Sequence, residues 1–181
     1  MRHPQRLTSL SLVRDVDEKL VGVAIFSVTP GPNGTAAFHT THRADRPKSA
    51  DADLEQLIAP GVTLLGELPD RAPLRLRQSS RTSFAMTSAL GDLIGASGMH
   101  FAQGILIACP RQELEGIADS FALPLADEDA PLLEQARRCL NRAQIVWLYY
   151  LWTSCLREER RQLTAAWEAW RALERARPLP F

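Results

Sequence analysis

Three groups of side chains in this 181-residue chain have the types and spacing that chemistry can use. Asp15, Asp17 and Glu18 bring three carboxylates close together, enough charge to attract a divalent cation. The same residue types dominate solvated hairpin turns, and a turn is the simpler expectation. His39 and His42 flank Thr40 and Thr41. On a strand, a spacing of three sends the two imidazoles to opposite faces, so they share a metal ion only if a turn intervenes. Arg137, Arg138 and Arg142 make the third group. All three lie on one helix, with Arg138 and Arg142 four apart on one face, and the three can contact a phosphate backbone. Ion pairing with Glu134, or with Asp127, Glu128 and Asp129, is the competing expectation.

Other catalytic patterns are missing from the sequence. It has no G-x-S-x-G nucleophile elbow. Gly95-Ala96-Ser97-Gly98 reads as a helix terminator, since no G-x-x-x-x-G-K-[ST] phosphate loop follows. Cys109, Cys139 and Cys155 are odd in number and contain no C-x-x-C pair, which argues against a disulfide framework or structural zinc. Cys109, ending an apolar run, is expected to be buried and inert.

Lys+Arg and Asp+Glu both total 21, so no global field draws the chain to nucleic acid or acidic membranes, although a local basic patch is compatible with neutrality. Apolar residues make up 45% and charged residues 23%, an ordinary globular balance. The N-terminal MRHPQRLTSLSLV lacks the long apolar core of a signal peptide, and the most apolar helical run is interrupted by Gln144, Thr153 and Ser154. The expectation is a soluble, cytoplasmic protein with no membrane partner.

The elements that must position these residues follow from periodicity. Residues 7–13 alternate apolar and hydroxyl side chains, 20–28 are rich in β-branched and aromatic residues, and 35–41 form a third run. Short connections, including the turn formers of 30–34, make these an antiparallel meander. A helix capped by Ser49 or Asp51 is expected through Ala59, then a buried strand over 62–65. A helical stretch around Leu74 and Leu76, a helix over 82–96, a strand over 104–109 and a helix over 111–121 follow. From 132 to 177 there is neither Gly nor Pro. One straight helix of that length would run on the order of 70 Å, wider than a domain of this size. A break near Thr153 and Ser154, with the rest folding back, is therefore expected.

All four tryptophans, Trp147, Trp152, Trp167 and Trp170, lie in this last region. Trp147 and Trp152 are expected to pack on the core. Trp167 and Trp170 share a face with Leu163, which suits either packing within the chain or an aromatic seam that binds a partner.

The order of three-strand meander, helix, buried strand and helices, together with QELEGIADSFALPLADEDAPLLEQARRCLNRAQIVWLYYL over 112–151, resembles the DEDD group of 3′–5′ exonucleases. The resemblance covers roughly 7–151. It implies a ribonuclease H-like α/β fold and, in active members, two divalent metal ions held by four acidic residues. This chain departs from each acidic motif. The first strand, LTSLSLV, has no carboxylate, with Asp15 and Asp17 beyond it. The second-motif Asp slot falls on Ala72, with Glu67 and Asp70 nearby. The third-motif His and Asp slots fall on Arg137 and Arg142.

The expected architecture is thus a ribonuclease H-like mixed sheet, an antiparallel three-strand meander plus parallel strands, flanked by helices, over 1–153, with a C-terminal helical extension over 154–181. The expected protein is an exonuclease-like domain that has lost catalysis and acts by binding, with no cofactor and no assigned catalytic or metal residue. Arg137, Arg138 and Arg142 are its candidate nucleic-acid contacts. Trp167 and Trp170 are its candidate contacts for a protein partner or a second copy in a homodimer. Two alternatives remain: an active Mg- or Mn-dependent exonuclease using Asp15, Asp17, Glu67 and Asp70, and a non-enzymatic adaptor docking through the Trp-rich C-terminal helix.

Overall fold

Hydroxyl and β-branched residues near the N-terminus build the sheet on which everything else rests. The computed structural model of the chain describes residues 6–14, 20–43, 63–67, 82–83, 103–107, 110–127 and 129–176. Strands β1 (Leu7–Arg14), β2 (Leu20–Pro30) and β3 (Ala36–Arg43) form the expected antiparallel meander. Between β2 and β3 the chain turns through a single 3-10 turn at Pro32–Gly34. There Gly34 adopts φ +74°, a left-handed conformation that glycine takes at little cost. Both faces of β2 are buried, which suits its near-continuous apolar run. On one face Thr8 and Ser27, directly opposite each other, join their hydroxyls at 2.9 Å and so satisfy each other inside the sheet.

Shorter strands extend the sheet beyond β1. β4 (Thr63–Glu67) pairs with β1 in parallel and β6 (Gln103–Ile107) pairs with β4 in parallel. β5 (Thr82–Ser83) runs antiparallel to β6, giving the order β3-β2-β1-β4-β6-β5. The helix expected over 82–96 is corrected at its start: Thr82 and Ser83 are strand, because two weak helix formers gain backbone partners on β6. The remainder of that helix lies outside the described residues. So do the helices expected at 49–59 and 74–79, together with Asp15, Asp17, Glu18, Asp70, Cys109 and Glu128.

Three helices complete the described structure: α1 (Arg111–Ser120), α2 (Leu132–Ser154) and α3 (Arg157–Ala176). Pro110 and Pro131 stand just ahead of α1 and α2 in extended conformation, where a missing N–H costs nothing. α2 lies on the face of the sheet carrying Ala24, Phe26 and Val28, and buries Ala143, Trp147 and Leu151 against it. Its approach is close. A Cβ on Gly22 would lie 2.6 Å from the Cβ of Ala136.

The expected break comes at the end of α2. Thr153 turns its hydroxyl back to the Tyr149 carbonyl at 2.9 Å, and Cys155 is extended. α3 then restarts with Glu158 and Glu159 in its first turn and Arg175 in its last, charges that suit the helix dipole. It folds back onto the core: Leu163 and Trp167 are buried in the same apolar cluster as α2 and the sheet. No helix among the described residues is long and apolar enough to cross a membrane.

Candidate functional site: a recess between the first strand and the arginine face of α2

The C-terminal half of β1 supplies one wall of a recess of about 120 Å³. Its lining runs from Ser11 and Val13 through Leu125 and Asp127 to Arg138 and Arg142. Ser11 is opposite Ala24 and Ser9 is opposite Phe26, so both hydroxyls turn toward α2. Small side chains at these positions let the helix lie low on the strand. Ser9 is fully buried, and its Oγ has no hydrogen-bond partner.

The structure separates the three arginines. Arg138 and Arg142, one helical turn apart, both line the recess, whereas Arg137 projects from an exposed position and does not. Arg138 is held in place. One guanidinium nitrogen is 2.7 Å from Glu134 Oε1, and the other donates to the Leu125 carbonyl at 2.7 Å. The ion pair expected with Glu134 is therefore present, and it fixes the guanidinium at the mouth of the recess. Asp127 adds one carboxylate to the lining and Glu134 pairs with Arg138 beside it, so the recess carries mixed charge.

Cys139 also lines the recess, but as an inert group. It is 2% exposed, its thiol donates to the Ala136 carbonyl at 2.9 Å, and burial pushes its pKa up to about 11. His42 Nε2 donates to the same Ala136 carbonyl at 2.8 Å, tying β3 to α2. His39 pairs with Ser27 and His42 with Ala24, so the two imidazoles leave opposite faces of β3, as their spacing requires.

The two-metal group implied by the exonuclease resemblance does not fit this donor set. Where β1 would present carboxylates it presents Ser9 and Ser11, and the facing helix offers guanidinium groups that cannot ligate and would repel a cation. Glu67 closes β4, two residues past Leu65, which pairs with Ser9. Among the described residues no group of three or more His, Cys, Asp or Glu side chains gathers as a metal site does.

Trp167 and Trp170 are turned inward. Trp167 is 1% exposed, its Nε1 donates to the buried Gln144 Oε1 at 3.1 Å, and its ring meets Phe121 edge-on at 5.3 Å. Trp170 stacks on Phe38 at 5.3 Å and lies 5.8 Å from Phe26. Trp147 meets both phenylalanines edge-on, completing a four-ring cluster. Trp152, expected in the core, is instead 52% exposed, with the Arg160 guanidinium 5.0 Å above its ring. It directly follows buried Leu151, about 100° further around the helix, and so lies on the solvent side of α2.

Sequence reasoning did not single out Ser11, Gln135 or Asn141. Gln135 and Asn141, with Arg138 between them, donate to carbonyls of the segment joining α1 to α2. The spacing of 135, 138 and 141 along one helix face was the available signal, and in sequence it cannot be told from a solvated polar stripe. Compared with known proteins, the chain matches no family model, no curated protein and no solved structure.

Proposed function

We propose that this chain is a ribonuclease H-like, exonuclease-like domain without catalytic metals, which acts by binding nucleic acid at the recess beside β1. The strand order, with β1 between antiparallel β2 and parallel β4, and α2 laid across β1 and β2, supports the fold assignment. The observation that carries the functional reading is the pairing of Arg138 and Arg142 at the end of β1. Acidic residues would be needed there for metal-dependent hydrolysis. Guanidinium groups instead suit a phosphate oxygen, which they contact through paired N–H donors.

The recess has room for a phosphate group, which its two guanidinium groups would hold without reading a base edge. Binding is therefore expected to read the backbone and to show little sequence preference. Fluorescence anisotropy with labelled single-stranded and duplex DNA and RNA tests this across a salt series. Arg138→Ala and Arg142→Ala should each weaken binding and reduce the salt slope by about 1 for every phosphate no longer neutralised. Equal affinity and slope in the wild type and the double variant would show that nucleic acid does not bind at the recess.

One observation favours a second reading, an active nuclease with displaced acids. Glu67 ends the strand next to β1, within the sheet neighbourhood of the recess. A partner-docking role for α3 would fall to Leu173, 71% exposed, since Trp167 has no surface to offer.

A further inference from the structure

Two residues, Cys155 and Leu156, separate α2 from α3, and the sequence around them does not forbid a single helix. Neither Gly nor Pro occurs from 132 to 177. The break rests on weaker devices. Cys155 is extended at φ −102° and ψ 153°, the Thr153 hydroxyl turns back to the Tyr149 carbonyl, and the Arg160 guanidinium donates to the Trp152 carbonyl at 3.3 Å. Carrying the helix through would pair the carbonyls of 152–155 with the amides of 156–159, backbone bonds that the break forgoes. The apolar side chains at the corner agree. Trp152 is 52% exposed and Leu156 80% exposed. In a continuous helix both would fall within about 60° of Leu163, Trp167 and Trp170 around the axis. They would prolong the stripe by which α3 docks, interrupted at Glu159.

We propose that α3 is exchangeable: it leaves its own core, α2 runs on into it as one helix, and it docks on the core of a second copy of this chain. The receiving surface is no free face of the monomer but the one that a departing α3 uncovers. It consists of Phe38, Phe121, Gln144 and the Phe121 and Ala122 carbonyls. The partner's α3 fits it by construction. Its copies of the residues that serve the monomer bring Trp170 to Phe38, Trp167 to Phe121 and Gln144, and Arg171 to the two carbonyls. The exchange is reciprocal, so it closes as a dimer, and only the hinge differs from the monomer. Association costs translational and rotational freedom. The continued backbone bonds offset that cost, and so does cover for Trp152 and Leu156, because the prolonged stripe faces the partner.

Size exclusion with light scattering tests this on the full chain, refolded from urea at high protein concentration under reducing conditions. A dimer peak is expected beside the monomer. Exchange requires α3 to undock, so the separated peaks should keep their identity on standing in the cold. Two hinge variants then move the balance in opposite directions. Cys155→Ala places the best helix former at the break in both copies and should raise the association constant about fivefold. Leu156→Pro should abolish the dimer, because a proline inside the continuous helix loses a backbone bond and clashes with the preceding turn. The monomer accommodates that proline, since Cys155 already has the extended conformation a residue before proline needs, and Pro110 and Pro131 stand ahead of α1 and α2 in the same way. A dimer in Cys155→Ala alone supports the exchange, and that variant decides the matter by itself if the proline variant does not fold. Monomer only, in both wild type and Cys155→Ala, overturns it. So does a dimer that re-equilibrates with monomer within minutes, or one that folded Leu156→Pro forms as readily as wild type, since either would be a surface contact.

Discussion

Cys139 and Trp167 show how single side chains set the character of this molecule. Cys139 faces the recess yet is 2% exposed, with its thiol engaged by the Ala136 carbonyl and its pKa pushed up to about 11 by burial. The folded thiol is harder to ionise than its unfolded counterpart, at the ordinary value of 9.0. Its contribution to stability is thus complete below pH 9 and is lost as pH rises through about 11. Iodoacetamide at pH 8 should modify the partly exposed Cys155 and leave Cys139 unmodified until the chain unfolds, as peptide mass mapping would read. Rapid native alkylation of Cys139 would contradict the packing described. At Trp167, the indole N–H satisfies Gln144 inside the core. Trp167→Phe keeps most of the ring but leaves that amide oxygen buried and unpaired, and should cost about 1–3 kcal/mol. A urea midpoint shifted down at constant m-value is the expected readout.

Elements were legible in the sequence to the degree that one local signal decided them. The hydroxyl-apolar alternation of β1 and the β-branched run of β2 predicted strands that the structure contains, because pairing within the meander is local. Thr153 and Ser154 marked the end of α2, since a side chain that bonds to its own helix weakens continuation. What local signals left open was where the C-terminal helix packs. An amphipathic stripe says that Leu163, Trp167 and Trp170 seek apolar surroundings without saying whose, and only Phe38, Phe121 and Gln144, distant in sequence, decide it. The recess was illegible for the same reason, being assembled from a strand end, a connecting segment and a helix face. The sequence grouped Arg137, Arg138 and Arg142 as contacts, and of these the recess is lined by Arg138 and Arg142, the two that share a helix face. The seat of α2 depends on Gly22. Gly22→Ala would drive a Cβ to 2.6 Å from the Ala136 Cβ and 2.8 Å from its Cα, a clash that only a helix shift relieves. The expected cost is about 1–3 kcal/mol. Thermal unfolding should show it, and an unchanged midpoint would mean that α2 sits higher on the sheet.

At the scale of the whole molecule, the sheet is a scaffold with a helix laid across its central strands, and the back-folded α3 seals the meander side through the four-ring cluster. On the reading proposed above, the recess at the end of β1 is where the fold meets a ligand. In the function proposed, basic groups there have replaced metal-binding acids, so the domain holds a phosphate backbone without cutting it. The most direct measurement incubates end-labelled single-stranded and duplex DNA and RNA with the protein in Mn²⁺, alongside binding under the same conditions. Asp15→Ala, Asp17→Ala and Glu67→Ala are run beside wild type and the Arg138→Ala/Arg142→Ala variant. The prediction is intact substrate throughout, with binding lost in the double-arginine variant only. Metal-dependent shortening of the labelled strand, abolished by any of the three acid substitutions, would contradict it and restore an active exonuclease with relocated ligands.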